Sequence, residues 1–260
     1  MIKKVVIASD AHIPFTDIMA LELFHKFLKE WQPNTLILNG DWIDCYEVSQ
    51  FSKAPIDKAE FVAEIESAKK ELKKLRQILP NAEIKYIEGN HEMRLKKYLI
   101  SKARELYKLF IGGFFDEENN KTLLEYLLGC HKLDIDYHPV REELDKFSHN
   151  YIDFHGIKIG HFDKVLKNGG YTARALRDDL GSDIIQSHTH RIGSSYKTYL
   201  DRIGFGLEIG CLCEKPTYTE APDWQLGFLA GYLDEKDNFY PYQIILKDYH
   251  FIFENKRYEV

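Results

Sequence analysis

Histidine, aspartate and asparagine residues gather where five apolar segments of the chain end. The first segment, 3–9, is followed by Asp10-Ala11-His12, and the second, 35–38, by Asn39-Gly40-Asp41. Carboxylate, imidazole and carboxamide groups suit divalent metal ions of intermediate softness. The residue types therefore indicate chemistry assisted by a metal ion. The candidate set comprises Asp10, His12, Asp41, Asn90, His91, His161, His188 and His190.

The apolar segments alternate with helical patterns, as they do in βαβ units. Residues 18–31 have apolar side chains at helical spacing, and residues 59–79 have a longer charged amphipathic pattern that ends at Pro80. The third strand, 83–87, leads into Gly89-Asn90-His91, where the glycine permits a sharp bend. Because ligands bind beyond the carboxyl ends of strands in open α/β sheets, we expect the candidate residues to meet at that edge.

The second half of the chain supplies the remaining candidates. Residues 96–148 are mainly helical in composition and predict a cap or side insertion within a single domain that spans 1–260. A hairpin over 151–159 leads into Gly160-His161, and a helix over 168–180 precedes a strand over 183–186. From residue 194 onward, short aromatic runs separated by glycine and proline predict an antiparallel sheet.

Composition excludes several classes of protein. With 44% hydrophobic and 29% charged residues, the chain has the composition of an ordinary globular protein, and its 260 residues can bury a substantial core. The apolar run after Lys3 and Lys4 is too short for a signal peptide or a membrane span, so we expect a cytoplasmic location and no membrane partner. The net charge of −6 disfavours bulk electrostatic binding to DNA. Four cysteines without Cys-x-x-Cys spacing predict reduced structural thiols.

The ordered set of motifs resembles the calcineurin-like metallophosphoesterases, and the longer stretches 40–55 and 89–95 look most like bacterial and bacteriophage members. The resemblance covers about residues 5–212. It implies an α/β fold, a four-layer α/β/β/α sandwich with two mixed sheets. Its motifs are Asp10-x-His12, Gly40-Asp41-x-x-Asp44, Gly89-Asn90-His91-Glu92, Gly160-His161 and His188-x-His190.

The resemblance also implies two divalent metal ions. Asp10, His12, Asp41 and His190 would bind one ion, and Asp41, Asn90, His161 and His188 would bind the other, with Asp41 as the bridge. We expect manganese, although the same ligands accept iron, zinc or nickel. Two such ions about 3.5 to 4 Å apart hold a bridging hydroxide as the nucleophile and clamp the phosphoryl oxygens.

Residues next to these ligands have expected roles as well. His91 is free to protonate the leaving alkoxide as a general acid, and we expect Glu92 to orient it. Asp44 is expected to support a ligand or the loop from behind the metal site. Arg94 and Arg191 bind the substrate phosphate or form structural ion pairs.

Some of these assignments have competitors in the chain. His155-Gly156 resembles the usual fourth motif more closely than Gly160-His161, but we favour His161 because metal sites need rigid placement. Asp136/His138 and Asp248/His250 repeat the Asp-x-His spacing in segments that look like half-exposed strands. We interpret both pairs as structural.

The predicted function is metal-dependent hydrolysis of phosphate mono- or diesters, with a nucleotide or a nucleic-acid end as the natural ligand. A DNA nuclease is the main alternative, and a metal-binding scaffold without catalysis is the alternative of another class. The sequence leaves the oligomeric state open. Aromatic and basic residues either form a cleft that stacks a base or belong to the core and surface: Trp42, Phe162, Lys164, Lys167 and Arg174.

Overall fold

The computed structural model describes residues 1–50, 60–111, 122–140, 150–215 and 222–260, with the side chains of 108–111 excluded. Its helices are α1 (Ile18–Trp31), α2 (Phe61–Ile78), α3 (Met93–Lys102), α4 (Arg104–Ile111), α5 (Leu123–Leu128) and α6 (Tyr171–Leu180). Its strands are β1 (Lys3–Ala8), β2 (Thr35–Asn39), β3 (Glu83–Ile87), β4 (Ile135–His138), β5 (Tyr151–Phe154), β6 (Ile157–Gly160), β7 (Asp183–Gln186), β8 (Ile192–Thr198), β9 (Ile203–Ile209), β10 (Gly227–Leu233), β11 (Phe239–Ile245), β12 (His250–Phe253) and β13 (Lys256–Glu259).

Two mixed sheets form the centre of the molecule. The six-stranded sheet, here called the first sheet, has the order β11-β10-β1-β2-β3-β4, and its last four strands run parallel. The five-stranded second sheet has the order β5-β6-β7-β9-β8, with β6, β7 and β9 parallel. The remaining two strands of the described residues, β12 and β13, form a two-stranded hairpin.

Apolar side chains divide into three clusters that define the layers. Ile7 and Ile185 belong to the cluster between the two sheets. Phe24 and Leu72, from α1 and α2, pack on the outer face of the first sheet. Leu176 of α6 covers the outer face of the second sheet with Phe162 and Ile184. These contacts confirm the predicted four-layer α/β/β/α sandwich, because each sheet buries one face against the other and one face against helices.

The stretch 96–148, predicted as a mainly helical insertion, contains most of α3, all of α4 and α5, and β4. Strand β4 pairs in parallel with β3, so that Ile84 lies opposite Ile135 and the first sheet continues into this stretch. Residues 112–121 and 141–148 of the stretch lie outside the described residues.

The prediction of an antiparallel sheet from residue 194 onward is wrong, because the strands of this region belong to different sheets. Strands β8 and β9 are antiparallel to each other, but they complete the second sheet through a parallel contact with β7. Strand β10 pairs with β1 in the first sheet, where its residues are almost all buried. Because β10 is apolar and covered on both faces, it is suited to an inner position of the first sheet, between β11 and β1.

None of the helices in the described ranges is long and apolar enough to cross a lipid bilayer.

Candidate metal centre

The carboxyl ends of five strands meet at one edge of the sandwich. Asp10 follows β1, Asp41 follows β2 and Asn90 follows β3, all in the first sheet. From the second sheet, His161 follows β6, and the loop after β7 carries His188 and His190; residues 187–190 are called the ligand loop below. The seven predicted metal ligands are therefore brought together from both sheets, as follows from parallel strands that end at one edge.

One group of side chains comprises Asp10, His12 and Asp41, with ligand atoms that lie within 4.8 Å of one another. His190 joins it from the second sheet: its Nε2 lies 3.1 Å from Asp10 Oδ1 and 3.2 Å from His12 Nε2. All four side chains are buried.

A second group comprises Asp41, His161 and His188, again with ligand atoms within 4.8 Å of one another. His161 Nε2 lies 3.1 Å from Asp41 Oδ2 and 3.1 Å from Asn90 Oδ1. Asp41 thus belongs to both groups, and a carboxylate with two oxygens is suited to contact two cations at once.

The backbone at these positions adopts an uncommon conformation. Asp10, Asp41, His188 and His190 have φ angles of 53°, 50°, 72° and 58°, in the left-handed region that side chains with a Cβ seldom occupy. Such conformations cost on the order of 1 to 3 kcal/mol each and cluster at functional sites. Gly40 is required for the close contact between the sheets, since a Cβ there would lie 2.5 Å from the ring of His161.

The donor set fits divalent metal ions. Within the described part of the chain, Asp10 Oδ1 is buried and accepts no hydrogen bond, although it faces the ring nitrogens of His12 and His190. A buried acceptor without a donor is costly, whereas a cation between the carboxylate and the imidazoles would satisfy all three groups.

Electrostatics point the same way. Burial acts to raise the pKa of Asp10 and of Asp41, but the neighbouring histidines hold both values well below the ordinary range. Burial acts to lower the pKa of His161, but the Asp41 and Asp10 carboxylates raise it to about 10. Burial also acts to lower the pKa of His190, but Asp10 raises it to about 9. Burial together with His161 lowers the pKa of His188 to about 4. Metal binding here would displace protons from His161 and His190.

Asp44 lies behind the first group and holds two imidazoles. Its Oδ2 lies 3.0 Å from His12 Nδ1 and 3.1 Å from His91 Nδ1. A hydrogen bond from Nδ1–H to Asp44 leaves Nε2 of His12 directed toward the Asp10 and Asp41 carboxylates, as a metal ligand requires. Arg94 donates from Nη1 to Oδ1 of the same carboxylate.

Glu92 does not have the expected contact with His91. Its Oε2 accepts from the main-chain N–H groups of Asp41 and Gly89, and its Oε1 accepts from Trp42 N and the Tyr86 hydroxyl. The expectation that Glu92 orients His91 is therefore wrong, because its side chain turns into the core beneath the loops. The carboxylate that contacts the His91 ring is that of Asp44.

The two candidate phosphate-binding arginines are already engaged. Arg94 Nη1 donates to the main-chain oxygen of Asp44 as well as to its carboxylate, and Arg94 Nη2 lies 2.8 Å from His91 Nε2. Arg191 donates to the Leu166 carbonyl oxygen and lies 3.3 Å from Asp223.

The competing motifs lie away from the centre. His155, in the β5–β6 turn, has its Nδ1 2.9 Å from Asp237 Oδ1. The Asp136 carboxylate pairs with Lys85 and with His138 on β4. His250 Nδ1 lies 3.3 Å from the Asp248 carbonyl oxygen in the β12 hairpin.

Trp42 and Phe162, proposed as walls of a base-stacking cleft, are both buried in the core and cannot stack on a ligand. Lys164 forms an ion pair with Asp179.

Two residues near the centre, Trp224 and Glu208, have no counterpart in the sequence analysis, and a third, Cys213, was expected only as a structural thiol. Cys213 Sγ lies 3.6 Å from His190 Nδ1, and the half-buried Trp224 packs against the same ring with 4.0 Å between centroids. Glu208, fully buried on β9, accepts a hydrogen bond from Thr189 in the ligand loop. Trp224 and Glu208 form no local motif with their neighbours, and Cys213 follows Cys211 without the Cys-x-x-Cys spacing, so only the folded chain reveals these contacts.

A family model for calcineurin-like phosphoesterases matches residues 3–202, a range that contains every residue of both groups. The chain belongs to the calcineurin-like phosphoesterase family. The predicted family membership is thereby confirmed, and with it the coarse expectation of a metal-dependent enzyme class acting on phosphate esters.

Two bacteriophage proteins are similar to this chain over most of their length. The Gene 54 protein of Mycobacterium phage L5 is 27% identical over 245 residues, and that of Mycobacterium phage D29 is 26% identical over 240 residues. Each alignment covers 88% of this chain and 88% of the relative.

Among solved structures, Vacuolar Protein Sorting 29 from Cryptosporidium parvum aligns with a TM-score of 0.45 and 14% identity, covering 98% of this chain and 94% of its own. The nuclease MPE of Pseudomonas putida aligns with a TM-score of 0.35 and 11% identity, covering 92% and 87%.

Proposed function

We propose that this protein is a two-metal phosphoesterase that hydrolyses phosphate mono- or diesters. The observation that carries the proposal is the position of the buried Asp41 in both groups of ligand atoms. Asp10, His12 and His190 would complete one metal site, and Asn90, His161 and His188 the other. Two divalent ions bound there, with manganese our first choice, would activate water and offset the negative charge of the phosphoryl group.

The chain's own residues orient the groups around this centre. Asp44 fixes the rings of His12 and His91 through their Nδ1 atoms. Because a guanidinium only donates hydrogen bonds, the contact with Arg94 requires that His91 Nε2 is an acceptor, with its proton on Nδ1. For His91 to act as the general acid, its Nε2 must give up the contact with Arg94, bind a proton and donate that proton to the leaving oxygen. Arg94, beside it, is then free to donate to a phosphoryl oxygen.

A test of the metal proposal is the metal content of the wild type against Asp41→Asn. After soaking with manganese and desalting, we expect two ions per wild-type chain and a loss of both in the variant, since the shared carboxylate contributes to each site. Asp136→Asn is the control and should retain the metal, since Asp136 lies on β4 and pairs with Lys85 of β3 away from the centre. Affinity should fall as the pH is lowered, because protons on His161 and His190 compete with the ions. A wild type with only trace metal would refute the proposal.

For the substrate we propose a nucleotide or a nucleic-acid end. Trp224 supports this choice, because an indole ring that is half-buried beside His190 offers an apolar surface for a base next to the phosphate position. The test is a panel of rates with manganese: a phosphomonoester, an aryl phosphodiester, cyclic nucleotides and end-labelled single- and double-stranded DNA. Preference for a sugar phosphate or a phosphoprotein over all nucleotides would overturn this assignment.

The same panel separates the alternatives. Cleavage within DNA strands would favour the nuclease, and a metal-loaded protein inert on every ester would favour a scaffold without catalysis.

A further inference from the structure

Glu208 is a carboxylate that is fully buried on β9. A buried carboxylate is costly unless donors surround it. Its Oε1 accepts from the main-chain N–H groups of Thr172 at 3.1 Å and Ala173 at 3.3 Å, and its Oε2 accepts from the Thr189 hydroxyl at 2.9 Å. One side chain therefore connects the first turn of α6 with the ligand loop.

The first turn of α6 needs such an acceptor. Its N-cap residue, Gly170, has no side chain to bind the free N–H groups that every helix leaves at its start. The positive end of the helix dipole also favours an anion at this place. The helix can approach Glu208 closely because β9 has glycine at 206, where a Cβ would lie 2.6 Å from the Ala173 carbonyl oxygen.

The ligand loop in turn needs an anchor. Thr189 separates His188 and His190, which both have left-handed backbone conformations, and its own N–H donates to the Ser187 carbonyl oxygen at 2.8 Å. Such a tight turn with two unfavourable φ angles persists only when contacts around it hold it. The Thr189 hydroxyl supplies one, since it donates to Glu208 and accepts from Arg191 N at 3.4 Å.

We propose that Glu208 and Thr189 are positioning residues for the metal centre: Glu208, fixed on the start of α6, holds the ligand loop so that His188 and His190 keep the spacing needed for two ions. This inference rests on the proposed function, in which both histidines bind metal. It assigns to α6 and β9 a role in positioning the metal ligands, although neither element carries a proposed ligand.

The test removes one hydroxyl group. Thr189→Val keeps the size and branching of the side chain but cannot donate to Glu208, whereas Thr189→Ser retains the donor. Thr35→Val is the matched control: it removes another buried threonine hydroxyl, at the first residue of β2 and thus at the opposite end of that strand from Asp41. Two measurements are made: amide hydrogen exchange of the peptide that spans 187–191 in the metal-free protein, and the affinity for Mn²⁺ by calorimetry.

In Thr189→Val we expect faster exchange in this peptide and a loss of Mn²⁺ affinity of about tenfold or more, the size of effect seen when supports of metal ligands are removed. Thr189→Ser should restore both. Thr35→Val should leave both the loop exchange and the metal affinity unchanged. Glu208→Gln provides a second variant, and if it folds it should weaken Mn²⁺ binding to a similar extent.

Unchanged loop exchange and unchanged affinity in Thr189→Val would overturn the inference, and so would an equal loss of affinity in the Thr35→Val control. A wild type without measurable Mn²⁺ affinity would instead refute the proposed metal chemistry, while the exchange data would still decide whether Glu208 anchors the loop.

Discussion

On the first sheet, Glu92 lies beneath the loops after β2 and β3 and accepts hydrogen bonds from the main chain of both, at Asp41 and Gly89. On the second sheet, Glu208 lies beneath the loop after β7 and accepts from Thr189 and from the start of α6. Both carboxylates are almost fully buried. The two halves of the centre thus use the same device, an acceptor below the loops whose charge is balanced by N–H and O–H donors.

The difference lies in how each carboxylate reaches its place. Glu92 is two residues after the candidate ligand Asn90 and acts on its own turn as well as on a neighbouring one. Glu208 lies outside the loop that it holds, 19 residues after Thr189, and it reaches Thr189 through the pairing of β7 with β9. Glu92 therefore lies in the same turn as a candidate ligand and reaches the loop after β2 once β2 and β3 have paired. Glu208 lies in a strand that carries no candidate ligand, and its support exists only after the second sheet and α6 have assembled. Loss of Glu92 should therefore disturb both metal sites, and loss of the Glu208 contact mainly the second-sheet ligands.

The largest effect is expected from Glu92→Ala. The change leaves several buried donors without an acceptor, and we expect the free energy of unfolding to fall by on the order of 3 to 5 kcal/mol. Denaturant unfolding measures the loss, and metal analysis of the folded fraction should find neither ion. Glu71→Ala is the control, since Glu71 is a buried carboxylate that pairs with His25 between α1 and α2, remote from the site. If Glu92→Ala binds metal as the wild type does, the first-sheet support has been misassigned.

A smaller effect, confined to turnover, is expected from His91→Ala. His91 is absent from both proposed ligand sets, so the variant should keep its metal while kcat falls by at least about 10²-fold, the low end for general acid–base catalysis. Steady-state kinetics with metal content determined on the same sample provide the measurement. Unchanged kcat would remove His91 from the mechanism. Loss of metal would show that it supports the first-sheet ligands rather than the chemistry.

The smallest effect is expected from the two arginines, one on each side of the centre. Arg94 lies beside His91 and Asp44, whereas Arg191 is bound to Leu166 and Asp223. We expect Arg94→Ala to raise KM and lower kcat, since it touches His91, and Arg191→Ala to change KM alone, by less than about tenfold. Arg94→Lys retains the charge but loses the planar donor pair, and should recover only part of the activity. Equal effects of both alanine variants on kcat would contradict the assignment of Arg94 to the catalytic side.

Much of the centre follows from the sequence because its ligands belong to short motifs at strand ends. An apolar run that stops at Asp10 or Asp41 places the carboxylate beyond the sheet, and the βαβ alternation brings those ends to one edge. The resemblance to the family then supplied the ordered set, and the family itself is confirmed. The roles of the individual ligands and of His91 stay predictions.

Tertiary structure alone decided the supports and the surroundings. The contacts of Glu92 depend on which way its side chain turns at the start of α3, and a residue beside a histidine in sequence need not touch it in space. Trp42 follows the candidate ligand Asp41 in sequence, and Phe162 follows His161. Both are nevertheless core residues, because Trp42 packs against α1 and Phe162 against α6.

Strand order is the clearest case. The sequence indicated strands after residue 194, but hydrophobic alternation does not specify which strand pairs with which. That choice rests on contacts between residues far apart in the chain, such as Val6 with Ala230 and Gln186 with Glu208. The same long-range pairing places Glu208 under the ligand loop, which is why the sequence determined the candidate metal ligands and only the folded sheets determined what holds them.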